Sequence, residues 1–180
     1  MSATPQDVLD FWLNAGPKNW FAKSDDFDAD INSAFGQTLE DAIAGKCDNW
    51  AETPDGTLAL IILLDQFSRN LFRDDARAFA QDKKSVNILH AAIASGDDLK
   101  IREDLAAFFY MPLMHSENLS DQELCIEQMT RLNLEGNVKF AIIHRDIIRD
   151  FGRFPHRNAV LDRKTTPEEQ IFLDKGGFSG

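Results

Sequence analysis

Three short stretches of this chain carry more hydrogen-bonding and titratable side chains than helix building needs: Asp65-Gln66-Phe67-Ser68-Arg69-Asn70, Tyr110-Met111-Pro112-Leu113-Met114-His115-Ser116-Glu117 and Phe151-Gly152-Arg153-Phe154-Pro155-His156-Arg157-Asn158. Arg69, Arg153 and Arg157, flanked by Asn70 and Asn158, present planar donor forks suited to a carboxylate or phosphate. If Asp65, Arg69, Asn70, His115, Glu117, Arg153, His156, Arg157 and Asn158 converge, they form a pocket for a small anion or a peptide carboxylate. The same groups would otherwise knit loops to the core through backbone carbonyls. Asp65 and Arg69, spaced i,i+4, would then be a structural ion pair near a helix end.

Other chemistries draw on the same residues. General acid–base work needs a poised carboxylate or imidazole. Glu117 beside His115, or His144 on the helix face of Phe140, Ile147 and Phe151, would supply it in a hydrolase or lyase. A histidine on an apolar face is more often a satisfied core residue. Ser116 follows His115 directly, but no nucleophile-elbow motif surrounds it. His115, Glu117, His144 and His156 are metal-ligand types, yet no HxxxH or HExxH spacing occurs, and Cys47 and Cys125 make no CxxC pair. No metal site and no cofactor is therefore expected, and both cysteines read as small buried apolar residues.

The elements that must position these groups are helices. Thr4-Pro5, Thr53-Pro54 and Thr166-Pro167 each put a capping hydroxyl before a proline at the first helical position. Thr166 with Glu169 and Ser120 with Glu123 have capping-box spacing, and Gly16, Gly45, Gly96, Gly136, Gly152 and Gly176 stand where C-terminal caps are needed. Phe27, Ile31, Phe35, Leu39 and Ile43 recur at a helical period, and Leu58 to Leu64 is apolar all round, as in a central buried helix. Helices are predicted over residues 5–15, 25–44, 54–71, 75–95, 101–111, 121–135, 137–151 and 167–175, with a break before Pro112. The expectation is one all-α domain spanning residues 1–180, with about eight antiparallel helices stacked as a tetratricopeptide-like α-α superhelix, although no clean repeat consensus is present.

Composition sets the outer bounds. A chain of 180 residues with 43% hydrophobic residues can bury a core unaided, and 14 Phe against one Tyr point to a Phe-anchored interior. A formal net charge of −11 argues against nucleic acid and anionic lipid as partners. Against that background, Arg145, Arg149, Arg153, Arg157, Arg163 and Lys164 face only Asp146, Asp150 and Asp162 between residues 145 and 164, a local excess of three positive charges. The start of the chain lacks a signal-peptide pattern and the longest apolar run, Leu58 to Leu64, cannot span a bilayer, so a soluble cytoplasmic protein is expected. Oligomeric state leaves no mark in the sequence.

The three stretches, in order, together with Val8-Leu9-Asp10-Phe11-Trp12 near the start and Thr165-Thr166-Pro167-Glu168-Glu169 with Phe172-Leu173 near the end, resemble a bacterial family catalogued as domain of unknown function 924. The resemblance covers essentially the whole chain. It implies a tetratricopeptide-like helical fold and brings no activity, substrate or cofactor. Two positions depart from the family's pattern: Ser68 stands where proline is usual, and Asp162 where glycine is usual.

Overall fold

A computed structural model describes residues 3–178, and it is all-α, with no strand among the described residues. Helices α1 (Pro5–Trp20) and α2 (Asp25–Ile43) come first. Helix α3 (Pro54–Ile61) runs without a break through a π-helical turn (Ile62–Phe67) into α4 (Ser68–Leu71). There follow α5 (Asp82–Ser95), α6 (Ala106–His115), α7 (Leu119–Arg131), α8 (Glu135–Phe151) and α9 (Pro167–Asp174).

Local chemistry starts most of these helices. The Thr4, Thr53 and Thr166 hydroxyls accept from the amides of Asp7, Gly56 and Glu169, each with proline at the helix start. Thr166 and Glu169 close a reciprocal capping box, and Thr4 closes another with Asp7. Gly96 and Gly152 end α5 and α8 in the left-handed region, at φ 74° and 70°, which favours glycine. Other expectations need correction. Asn118, not Ser120, caps α7, accepting from the Ser120 amide. Gly136 lies inside the first turn of α8. Gly16, by contrast, is non-helical at φ 67° and interrupts α1 where an end was expected, with a second short helical stretch following from Pro17. Residues before Asp82 form a short 3-10 turn, Ala76–Ala78, rather than the start of α5.

Pro112 is the largest departure, because it sits within α6 instead of ending the helix ahead of it. Proline inside a helix costs about 3 kcal/mol. Phe108, Phe109, Tyr110, Leu113 and Met114 are all buried, and each large apolar side chain contributes about 1.5–3 kcal/mol on burial. Burial on both sides of Pro112 outweighs the local penalty.

Packing divides the chain into two compact units. The first comprises residues to Arg73 with Arg77–Pro112. Its core is the continuous α3 and π turn, with every residue from Leu58 to Leu64 fully buried, packed against α1 and α5. Aromatic rings close it: Trp12 meets Phe67 and Phe108 edge-on at 5.5 and 5.3 Å between centroids, and Phe35 meets Phe67 at 5.3 Å. The second unit comprises Asp74–Ala76 and the chain from Leu113 onward, so the division falls inside α6. There α7 and α8 form a hairpin across Leu132–Leu134, and Ile147, Ile148 and Phe154 gather Phe151, Phe172 and Phe178 around them. The Phe-anchored interior has exceptions, since Phe21 and Phe140 are mostly exposed. Cys47 and Cys125 are both buried, and burial pushes the Cys125 thiol up to about 12. No helix among the described residues is long and apolar enough to cross a membrane.

Candidate functional site

In the first unit, Asp65 sits in the π turn and is fully buried. A buried carboxylate needs partners to stay charged. Gln66 donates to Asp65 Oδ2 at 2.6 Å, and Arg69 donates to Asp65 Oδ1 at 3.0 Å and to its backbone carbonyl at 2.8 Å. The other end of the same guanidinium reaches Asp82 on α5 at 3.0 Å. Burial opposes the Arg69 charge, but the two carboxylates outweigh it and hold the group more firmly protonated. Asn70 donates to Asp28 on α2 at 2.7 Å, and Arg73 donates to both oxygens of Asp28. Asp65, Arg69 and Asn70 thus tie three helices of this unit together.

The second unit brings together the rest of the candidates. Helix α6 ends at His115, where the side-chain amide of the buried Gln122 donates to the carbonyls of Met114 and Ser116, both at 2.7 Å. Ser116 donates to Asp121 at 2.6 Å, and the turn presents Glu117 to the loop after α8. Glu117 accepts from Arg163 at 2.7 and 3.0 Å, one bond to each oxygen, and from the Phe154 amide at 2.8 Å. Arg163 also donates to the Phe154 carbonyl and to Asn158 Oδ1, both at 3.0 Å. Burial would raise the Glu117 pKa, but the bonds from Arg163 and the Phe154 amide, with the charges of Arg163 and Arg157, bring it below the ordinary glutamate value. A carboxylate held ionised in this way has no proton to give near neutral pH.

A second clamp closes the same loop. Arg153 donates to Glu169 Oε1 and Oε2 at 2.6 and 2.9 Å and to the Lys164 carbonyl at 2.8 Å. Asn158 adds a bond to Glu169 at 3.1 Å, and the Thr166 amide another at 2.7 Å. The Arg153 bond, with these amides and the Arg153 charge, outweighs burial and takes Glu169 down to about 2. The arginine-rich stretch is also largely neutralised, because Arg145 pairs with Asp146, and Arg149 with both Asp146 and Asp150.

Between the clamps, three of the four histidines meet around two phenylalanines. His115 lies 6.5 Å from His144 between ring centroids, and His144 lies 5.5 Å from Phe154. His156 is 5.6 Å from Phe154 and 5.5 Å from Phe178, which itself packs edge-on against His144 at 4.4 Å. The His144 Nδ1 is 2.8 Å from the Phe140 carbonyl oxygen. A carbonyl only accepts, so Nδ1 carries the proton and Nε2 is the basic nitrogen of the neutral ring. The imidazole is buried as expected, whereas Phe140, one turn earlier on the same helix, is 56% exposed. Arg157 is buried, and its guanidinium stacks on Phe154 at 4.4 Å. His156 Nδ1 is buried without a hydrogen-bond partner among the described residues. Burial, then the Arg157 charge and the neighbouring His144, push the His156 imidazole down to about 4; Arg163 adds to this, and Glu117 opposes it.

An open hollow of about 400 Å³ lies over Asp150, Phe151, Arg153, Thr166, Glu168 and Glu169. Three carboxylates against one guanidinium make it unsuited to an anion. No group of three or more His, Cys, Asp or Glu side chains among the described residues is arranged to hold a metal. Arg163, Glu169 and Asp82 escaped the sequence reading as site members, since contacts across many residues leave no spacing to detect. The convergence of His115, His144 and His156 escaped it for the same reason.

An all-α chain whose polar loops are clamped onto the end of a helical hairpin defines the class, and comparison with known proteins gives the family. The chain belongs to the bacterial proteins of unknown function designated DUF924, whose family profile matches residues 8–177. It is similar to a solved structure of a protein of unknown function, ATU0120 from Agrobacterium tumefaciens, at 40% identity and a TM-score of 0.90, covering 96% of this chain and 97% of that one. No curated protein matches the chain. Asp162, where the family usually has glycine, has φ 52°, the left-handed region in which glycine is favoured. Ser68, in the position usual for proline, has φ −58°, within the range proline imposes.

Proposed function

We infer that the protein is a non-enzymatic binding domain whose second unit takes a small anionic group, a carboxylate or phosphate, at His156 and Arg157. The observation that carries this reading is the buried Nδ1 of His156, without a hydrogen-bond partner among the described residues, beside the stacked guanidinium of Arg157. Buried polar atoms are nearly always satisfied, so such an atom calls for an explanation. An anion answers it: neutral imidazole donates one N–H, and the Arg157 fork donates to the same group.

In this reading the nine candidate ligand residues, together with His144, divide by role. His156 and Arg157 touch the anion, with His115 and His144 lining the approach. Glu117, Arg153 and Asn158 hold the loop in shape, and Asp65, Arg69 and Asn70 brace the first unit. An acid–base role for Glu117 is disfavoured by its bonds to Arg163. The acidic chain works as a soluble intracellular protein, with neither nucleic acid nor membrane as partner.

The test follows the imidazole resonances by NMR while inorganic phosphate and, separately, acetate are titrated in. Saturable shifts centred on His156 and His144, abolished in Arg157→Lys and His156→Gln, support the reading. Linear shifts of all histidines, exposed His90 included, overturn it.

A further inference from the structure

Phe178 packs against two imidazoles of the histidine cluster. Its ring packs on His144 at 4.4 Å and on His156 at 5.5 Å, and joins the Ile147, Ile148 and Phe154 core only as a half-buried neighbour. The backbone leading to it is built for this placement. Gly176, at φ 74°, turns the chain after α9, and its amide donates to the Leu173 carbonyl at 3.0 Å. Gly177 donates to the Phe172 carbonyl at 3.0 Å. A Cβ on Gly177 would come within 2.6 Å of both the Phe172 carbonyl oxygen and its ring, so no larger residue fits without displacing the segment. Two glycines are thus required, for different reasons, to lay one phenylalanine on two imidazoles.

We propose that Gly176-Gly177-Phe178 is a strap whose aromatic ring plugs the His144–His156 cluster, so that ligand entry and strap docking exclude one another. The proposal rests on the anion-binding reading above for its ligand, but not for the strap itself. It accounts for a binding nitrogen that is sealed from solvent in the closed state: the strap must lift before His156 Nδ1 can meet an anion. An apolar ring on imidazoles is an easily reversed contact, because a phenylalanine side chain holds no ion pair or hydrogen bond that breaks when it leaves.

The experiment measures carbethoxylation of His144 and His156 by diethyl pyrocarbonate, residue by residue, in the full chain and in Phe178→Ala and Gly177→Ala. The first variant removes the plug, while the second keeps the ring and spoils its seat. Both should modify about tenfold faster than wild type at these two histidines, a factor equivalent to about 1.4 kcal/mol, with His90 unchanged. Inorganic phosphate should then slow modification in the variants at lower concentration than in wild type. Equal rates in all three chains overturn the strap, whatever phosphate does. Faster modification in both variants with no protection by phosphate upholds the strap and sinks the anion reading. Protection at one and the same phosphate concentration in all three chains upholds the anion reading and overturns the exclusion.

Discussion

Truncating Glu117 should cost the fold more than any other single change at the surface of the second unit. Its carboxylate satisfies two nitrogens of Arg163 and the Phe154 amide, and Phe154 is fully buried. Removing one partner of a buried ion pair costs about 3–5 kcal/mol. The pair here is partly exposed, with side chains at 21% and 29%, so roughly a third to a half of that range applies. The Phe154 amide, left without its acceptor, adds about 1–2 kcal/mol. Glu117→Ala should therefore lose about 2–4 kcal/mol in urea denaturation, with the m-value unchanged. Glu117→Gln keeps an acceptor for Phe154 and should lose about half as much. A Glu117→Ala midpoint within about 0.5 kcal/mol of wild type would refute the clamp and reopen Glu117 to catalysis.

Further expectations follow from the same geometry. Glu169 titrates at about 2 in the folded chain against 4.5 ordinarily, so its clamp is present above pH 4.5 and lost as pH falls toward 2. The loss is up to about 3 kcal/mol, and Glu169→Gln should flatten that part of the stability profile. His156 is depressed from 6.5 to about 4, so the unfolded chain takes up its proton first and stability falls with pH across that window. His156→Gln should remove about 1–3 kcal/mol of this dependence in pH-resolved melts. Asp162→Gly relieves a left-handed aspartate and should raise stability by about 0.5–1 kcal/mol, read from the urea midpoint. Both thiols should resist Ellman's reagent in the native chain and react together on unfolding, Cys125 most stringently.

What the sequence made legible was whatever is decided within a few residues. Thr4, Thr53 and Thr166 announce helix starts because hydroxyl, proline and first turn act within three residues of one another. The all-α class and the buried Leu58–Leu64 run follow from periodicity alone. Pro112 misled because its penalty is local while the burial that overrides it comes from distant elements. The π turn over Ile62–Phe67 has no spacing signature, although it contains two of the polar residues singled out. Site membership was half legible: arginines and histidines in the third stretch were visible as donors. Their partners, such as Arg163 for Glu117 at a separation of 46 residues, were not. An ion pair between distant segments constrains residue type at two places and spacing at none.

A crystal structure of the chain grown with inorganic phosphate tests the binding claim most directly. The anion is expected within hydrogen-bonding distance of His156 Nδ1 and the Arg157 guanidinium, with the Phe178 ring lifted away from His144. Phosphate scattered on exposed lysines, with Phe178 in place and His156 Nδ1 bonded to water or protein, would contradict it.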